Sequence, residues 1–445
     1  MQKILILGAG LSASSLIKYL LDYSEEYNWN IRIGDLSEET ALKKIDGHPR
    51  GEAFCFDVAN EEQCNTEVSK ADIVVSMLPA ALHFSVAKAC VKHKINMVTA
   101  SYVSKEIQGL NEEAIAKDIL LLNEIGVDPG IDHMSAMKVI NSIRDKGGEI
   151  TEFYSATGGL VAPKYDNNPW NYKFTWNPRN VVLAGQGTSM FIRNGIYKYI
   201  PYHQLFKRIT RANVLNYGEF EIYPNRDSLK YREIYGLEDI ASMYRGTMRR
   251  PGFARTWNVF VQLGCTDDSY VIEESENMTY REYINSFIKY IPDMQIEKKL
   301  AKYLNIDEDS EIMYKLRWLG IFQDTVIGLK NATPAQILQH ILVQKWVLDE
   351  DDKDMIAMQH RFVAEIDGVR KQIFSSMVIE GSDQIHTAMS KTVGYPVAIA
   401  TKLILTGQIK AKGVKIPIEK CIYEAVLKEL EEMGIQFIEE EEILK

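Results

Sequence analysis

Between Asn123 and Met134 the chain carries one amide, three carboxylates (Glu124, Asp128, Asp132), His133, two glycines and Pro129 within twelve residues. Carboxylates and an imidazole can move protons or hold a cationic amine near neutral pH. Gly126, Pro129 and Gly130 would shape the backbone and let a ligand come close. The apolar run Ile119-Leu120-Leu121-Leu122 directly precedes the segment. A buried strand running into such a loop is how an open parallel sheet presents chemistry at its carboxyl edge. Asp132 is placed to cap a helix starting near His133. One cap accounts for one carboxylate, not three, so a functional loop is expected here.

The elements that position this loop begin at the N-terminus. Lys3-Ile4-Leu5-Ile6-Leu7 is a short apolar strand that runs into Gly8-Ala9-Gly10-Leu11-Ser12-Ala13, a Gly-x-Gly-x-x-Ala turn. The helical pattern Leu16, Tyr19, Leu20 follows. Gly8 permits the tight turn, Gly10 lets a pyrophosphate reach the backbone, and Ala13 is small enough for helix-on-strand packing. The helix N-terminus offers free N–H groups and its positive dipole end to the phosphates. A second strand, Ile31-Arg32-Ile33-Gly34, ends at Asp35. A carboxylate about 20 residues beyond the turn would bind the ribose 2′-hydroxyl of NAD and repel the 2′-phosphate of NADP. Strand alternation aims Arg32 elsewhere. NAD is therefore the expected cofactor, with NADP as the second choice.

At 445 residues the chain is too long for one core and suggests two or three domains. A formal net charge of −10 argues against nucleic acid, which needs a basic face. Glu439-Glu440-Glu441-Glu442 contributes to that charge and is expected to lie solvated. No apolar run reaches transmembrane length and no signal peptide opens the chain, so neither a membrane nor secretion is expected. Cys55, Cys64, Cys90, Cys265 and Cys421 are an odd, scattered set that suits reduced thiols in a cytoplasm and gives no metal site.

Strand and helix signals alternate up to about residue 125: Ala53 to Val58, Ala71 to Leu78 stopped by Pro79, a helix from Phe84 to His93, and Asn96 to Tyr102. This rhythm predicts a doubly wound parallel sheet of Rossmann type, an α/β fold. His83 opens the helix after Leu78-Pro79; it is a candidate for proton transfer by residue type, but capping the helix is the expected role. Beyond Glu149, Ile150 to Ser155, Val259 to Leu263 and Phe362 to Ile366 alternate like antiparallel strands. The signal is helical between Tyr280 and Asp349. A long helix over Thr387 to Leu405 is expected to be interrupted at Gly394-Tyr395-Pro396. A last helix, Glu419 to Met433, precedes Gln436-Phe437-Ile438, which could pair with a sheet edge.

Several of these segments together resemble the glutamate-forming saccharopine dehydrogenases, also called saccharopine reductases. The resemblance rests on Ser76-Met77-Leu78-Pro79, Ala100-Ser101-Tyr102-Val103-Ser104, the run Asn123 to His133, and Gly158-Gly159-Leu160. It continues through Asn168-Pro169 with Tyr172 to Trp176, then Tyr223 to Ser228, and Arg245-Gly246-Thr247-Met248-Arg249. The pieces follow the family's order over most of the chain. The resemblance implies a Rossmann domain at 1–125 completed by a C-terminal segment at 391–445. A mixed α/β substrate domain (126–278 and 350–390) is inserted, with a helical insertion (279–349) inside it. A homodimer is the expected assembly.

Two departures matter. NADP-dependent members have an arginine just after the second strand, where this chain has Asp35-Leu36. Fungal members read Cys-Gly-Gly where this chain has Thr157-Gly158-Gly159, so a thiol role does not carry over.

Saccharopine is a secondary amine joining glutamate to the lysine-derived skeleton. When glutamate is released, the lysine-derived carbon is the one oxidised, and the imine then hydrolyses to 2-aminoadipate 6-semialdehyde. Three substrate carboxylates call for arginines, and Arg226 and Arg249 sit in matching motifs. Family positions put Asp128 and Tyr102 first for the reacting centre; His133 is apt because histidine titrates near neutral pH. The expected substrate contacts are Ser101, Tyr102, Asp128, Arg226, Thr247, Met248 and Arg249. The expected cofactor contacts are Gly8, Gly10, Leu11, Ser12, Ala13, Asp35, Asp57, Val58, Leu78, Ala100, Ser101, Val127, Asp128, Pro129 and Trp176. Two other functions stay open: a carboxynorspermidine dehydrogenase-like C–N oxidoreductase, and a catalytically silent nucleotide-binding regulator, against which the two arginines argue.

Overall fold

Six short strands open the chain: β1 (Gln2–Leu7), β2 (Trp29–Asp35), β3 (Gly51–Cys55), β4 (Ile73–Ser76), β5 (Asn96–Val98) and β6 (Leu120–Leu122). Every residue of β4 and β6 is buried, as expected of strands covered by helices on both faces. In this computed structural model, which describes residues 1–444, they form a parallel sheet with a seventh strand, Gly413–Lys415. The order runs Gly413–Lys415, β6, β5, β4, β1, β2, β3. The expected doubly wound sheet, completed by the C-terminal part of the chain, is present. Leu5 and Leu7 of β1, Val74 of β4, Met97 of β5, Leu121 of β6 and Val414 of the seventh strand share one apolar core. Val86, Ala87 and Cys90 of the helix His83–His93 pack into it.

The chain divides into two compact units: Met1–Glu149 with the segment from Ala364 onward, and Ile150–Val363. The helix Ile131–Asp145, placed in the inserted domain by the sequence, belongs to the first unit. There Asn141 Nδ2 donates to the Tyr423 hydroxyl at 2.8 Å. Residues 364–390, also expected in the inserted domain, group with the first unit as well. The helices between residues 279 and 349 lie in the second unit rather than forming a unit of their own.

The second unit is built on β7 (Glu149–Val161), β8 (Thr188–Arg193), β9 (Ile196–Pro201), β10 (Thr210–Asn213), β11 (Glu219–Pro224), β12 (Ser242–Arg249) and β13 (Asp354–Ile366). Its sheet runs β10, β11, β12, β7, β13, with the β8–β9 hairpin joined to β12. Trp170, Tyr172, Phe253, Trp257 and Trp346 form an aromatic core beneath it, with Tyr172 and Trp346 centroids 5.0 Å apart. In the first unit, β14 (Val369–Glu380) and β16 (Ile438–Ile443) pair antiparallel; β15 is the Gly413–Lys415 strand.

Two expectations need correction. Val259 to Leu263 is not a strand but the end of the helix Phe253–Leu263, which buries Phe253, Trp257 and Phe260 at helical spacing. The helix Ala388–Leu405 runs unbroken through Pro396. The proline costs one backbone hydrogen bond, but nearly every residue from Gly394 to Leu403 is buried, and packing holds the helix together. Glu439 to Glu442 has exposed side chains, as expected, and its backbone forms most of β16. Among the described residues, no helix is long and apolar enough to cross a membrane.

Leu121 is fully buried at the centre of β6. Leu121→Ala is expected to cost about 2–5 kcal/mol through the cavity it leaves. Urea denaturation should show that loss as a lowered midpoint with an unchanged slope; an unchanged midpoint would mean that β6 does not carry the core.

Candidate active site

At the end of β1 the chain turns on Gly8, whose φ is +100° and where a Cβ would lie 2.7 Å from the Met77 carbonyl oxygen. Gly10, by contrast, has nothing within 4 Å of a would-be Cβ. Leu11 is exposed and Ser12 half-exposed, whereas Ala13 is buried against the fold. The turn thus has one face locked into the sheet and one open face beside the start of the helix Ser14–Asp22. Gly394 of the helix Ala388–Leu405 closes the back: a Cβ there would strike the Leu16 backbone nitrogen at 2.7 Å. Asp35 joins turn to loop, its carboxylate accepting from Ala9 N–H at 2.8 Å and from Ser37 N–H at 3.0 Å. Arg32 is engaged by Glu67 and by Glu52 at 3.2 Å, so it is directed away from this site, as strand alternation requires.

Asp57 lies exposed just past β3, where it accepts from Ala59 N–H at 2.9 Å, and Val58 and Leu78 pack partly buried on the sheet core. Beyond β4 and β5 a buried imidazole ties the strand ends together. His83 Nδ1 lies 2.8 Å from Ser76 Oγ, and its Nε2 lies 2.7 Å from Ser101 Oγ and 3.5 Å from Thr99 Oγ1. His83 opens its helix but does not cap it as expected: both ring nitrogens are engaged by these hydroxyls. Burial pushes its pKa down to about 4 and keeps it neutral among the hydroxyls.

After β6 the backbone closes on itself. Gly126 N–H donates to the Pro129 carbonyl and Ile131 N–H to the Gly126 carbonyl, each at 2.9 Å. Gly130 has φ +145°, and a Cβ there would fall 2.1 Å from the Gly126 oxygen, so no other residue fits. Val127 and Pro129 are buried and Asp128 is half-buried between them. The Tyr102 hydroxyl donates to Asp128 Oδ1 at 3.3 Å. Asp132 accepts from Gly130 N–H at 2.7 Å, and the helix begins at Ile131, two residues earlier than expected. His133 is wholly buried with Nε2 2.9 Å from Glu124 Oε2. Leu78, Ala100, Ser101, Tyr102 and Asp128 therefore all stand at the carboxyl ends of β4, β5 and β6.

In the second unit, strand alternation puts Arg245, Thr247 and Arg249 on one face of β12. Thr247 is level with Tyr223 of β11 and Thr157 of β7. Met248 faces the other way, fully buried against Gly158, and its carbonyl accepts from Arg249 at 2.8 Å. Arg249 is 4% exposed, stacked over Tyr172 (4.9 Å) and Phe253 (5.3 Å). Among the described residues it has no carboxylate partner, and its Nε has no hydrogen-bond partner; the buried hydroxyls of Tyr172, Thr157 and Thr175 also lack one. Arg226 is exposed on the turn after β11 with φ +38°, and Trp176 is half-buried. Arg245, Tyr172, Tyr223 and Thr157 are not singled out as ligands by the sequence. The Arg-x-Thr-x-Arg alternation of β12 is the available signal for Arg245.

A Gly-rich turn on a parallel sheet, polar residues at its carboxyl edge and a separate face holding a buried guanidinium define a nicotinamide-dinucleotide-dependent oxidoreductase. Residues 4–122 match the model of the saccharopine dehydrogenase NADP binding domain, and residues 126–435 that of the saccharopine dehydrogenase C-terminal domain. The chain belongs to the saccharopine dehydrogenase family. It is 33% identical to a Schizosaccharomyces pombe protein named saccharopine dehydrogenase [NADP(+), L-glutamate-forming], over 99% of each chain. It is 31% identical to the mouse mitochondrial alpha-aminoadipic semialdehyde synthase, of which it spans 47%. The apo, histidine-tagged saccharopine dehydrogenase (L-Glu forming) from Saccharomyces cerevisiae superposes with a TM-score of 0.89 at 29% identity, over 99% of this chain and 100% of that one. The family model and the fungal names support a nicotinamide dinucleotide; they specify NADP and lend no support to the preference for NAD expected from Asp35.

Because His83 is held neutral, the unfolded chain takes up a proton below about pH 6.5 that the folded chain refuses until about pH 4. Stability from this group is therefore intact above pH 6.5 and falls as the pH drops toward 4. Urea midpoints of the parent and of His83→Gln, measured from pH 7.5 to 4.5, should converge or cross as pH falls. A constant difference across that window would contradict a neutral, buried His83.

Proposed function

We propose that this protein oxidises saccharopine to glutamate and 2-aminoadipate 6-semialdehyde, or runs the reverse reaction, in lysine metabolism. The observation that carries this reading is Arg249: a guanidinium 4% exposed and without a carboxylate partner among the described residues. A buried charge left unpaired is costly, and a substrate carboxylate that replaces its lost hydration offsets that cost. Saccharopine brings three such groups. Tyr172, over whose ring Arg249 lies, has a buried hydroxyl with unused hydrogen-bonding capacity, as have Thr157, level with Thr247 of the same strand, and Thr175. Arg226 would add a weaker, screened contact because it is exposed. When bound, the nicotinamide accepts the hydride. The chain's own part is to orient the amine and handle its proton: Asp128 offers a carboxylate to the amine, and Tyr102 steers that carboxylate through its hydroxyl. Burial gives His133 a supporting place behind them, beside Glu124.

The purified protein should reduce nicotinamide cofactor with saccharopine, followed by absorbance. Arg249→Ala should raise KM for saccharopine at least tenfold, since a lost charged contact is worth roughly 1.5–3 kcal/mol and each 1.4 kcal/mol is about tenfold. Arg226→Ala should raise it less, and cofactor affinity should hold in both. A normal KM in Arg249→Ala would remove the carboxylate assignment.

Within this reading we favour NAD over NADP. Asp35 sets a carboxylate at the end of β2, Leu36 beside it is exposed and uncharged, and Arg32 is engaged by Glu67 and Glu52. A 2′-phosphate there meets negative charge with no arginine to balance it. The names of the fungal relatives run the other way. Comparison of kcat/KM for the two cofactors decides it: at least tenfold in favour of NAD is expected, and parity or a preference for NADP would overturn the assignment.

A further inference from the structure

Glu124 stands directly after β6, is 3% exposed and carries φ +57°. A left-handed backbone is uncommon for glutamate and persists only where its surroundings over-determine it. Three hydrogen bonds do so here. The Glu124 N–H donates to the Ser101 carbonyl at 3.0 Å, and its Oε1 accepts from the Val103 N–H at 3.0 Å. Its Oε2 lies 2.9 Å from His133 Nε2. The first two bonds grip the chain on either side of Tyr102, the residue whose hydroxyl reaches Asp128. On the Ser101 flank, His83 Nε2 holds the side-chain hydroxyl at 2.7 Å. Glu124 and Asp128 themselves belong to one short loop after β6, so the same segment carries both Asp128 and the bracket that aims Tyr102 at it.

We propose that Glu124 is the positioning residue of the Tyr102–Asp128 pair: buried on His133, it fixes the segment 101–103 so that the Tyr102 hydroxyl meets Asp128, without touching substrate or cofactor itself. The inference rests on the saccharopine-oxidising reading for its kinetic arm. Glutamine at this position keeps an acceptor for Val103 N–H at the same reach and can still donate toward His133. Alanine keeps neither. If Glu124 acts through Tyr102, its loss matters only while the Tyr102 hydroxyl is present.

The test is a double-mutant cycle on the full chain with saccharopine. Glu124→Ala should lower kcat at least tenfold in the parent background and less than twofold in a Tyr102→Phe background, with cofactor Kd within twofold throughout. Glu124→Gln should restore kcat to within about threefold of the parent. Equal losses in both backgrounds, or a glutamine variant as poor as alanine, would overturn the positioning role. Should the alanine variant not fold, Glu124→Asp, which retracts the carboxylate by one carbon, takes its place in the cycle with the same expected losses and the same overturning result. A second readout does not depend on turnover: with 3-fluorotyrosine placed at position 102, the ¹⁹F resonance should shift or broaden in the alanine or aspartate variant and stay put in Glu124→Gln. An unmoved resonance in the alanine or aspartate variant sinks the proposal. A parent protein that leaves saccharopine untouched sinks the proposed function instead, and the fluorine measurement then decides the Glu124 bracket alone.

Discussion

Everything at the carboxyl edge of the parallel sheet depends on how the chain closes between Gly126 and Ile131. Gly126 is both donor, to the Pro129 carbonyl, and acceptor, from the Ile131 N–H. The closure is so tight that Gly130 cannot carry a side chain: any Cβ would lie 2.1 Å from the Gly126 oxygen. Gly126 is likewise hemmed in, since its Cβ would come within 2.9 Å of the Ala100 methyl. The consequence is a carboxylate with little freedom. Asp128 sits half-buried in a loop closed by its own backbone hydrogen bonds, within reach of the Tyr102 hydroxyl, and the helix Ile131–Asp145 starts just after it. A rigid loop of this kind spares the protein the entropy of ordering Asp128 each time a ligand arrives.

The second unit meets a different constraint. Three polar rows, from β7, β11 and β12, share one sheet face with an aromatic core around them. Such a face would be unstable if its polar atoms were simply buried without partners. Arg249 offsets part of its desolvation by stacking on Tyr172 and Phe253, which attracts a guanidinium without satisfying its N–H groups. The remaining hydrogen-bonding capacity is what a polyanionic amino-acid substrate can use. Glu221 shows the contrast on the same strands: its carboxylate is equally buried, but it accepts from the N–H groups of Gly252 and Ala254 and so has a structural task at a helix start.

Much of this is legible in the residues alone. The Gly-x-Gly-x-x-Ala turn and the short apolar strands state the parallel sheet outright, because strands buried on both faces leave no alternation to misread. The Asp128 loop is equally plain from its composition. The errors share one cause, which is that local pattern is silent about tertiary burial. Val259 to Leu263 reads as a strand by residue type, yet Phe253, Trp257 and Phe260 are drawn into the aromatic core at helical spacing. Pro396 reads as a break, yet the helix is held by packing on both sides of it. The roles of Glu124 and His83 are only half legible for a related reason: the residues mark one as a carboxylate of a functional loop and the other as a helix opener, and neither pattern names the partners that burial forces on it. His133 is legible as chemistry but not as a buried neighbour of Glu124.

Whether this protein cuts the C–N bond of saccharopine on the lysine side is tested most directly with saccharopine deuterated on the lysine-derived carbon next to nitrogen, with products and cofactor read by mass spectrometry. The reduced nicotinamide should gain one deuterium while glutamate and 2-aminoadipate 6-semialdehyde appear in equal amounts. Unlabelled reduced nicotinamide with lysine and 2-oxoglutarate as products, or no reduction at all, would contradict it.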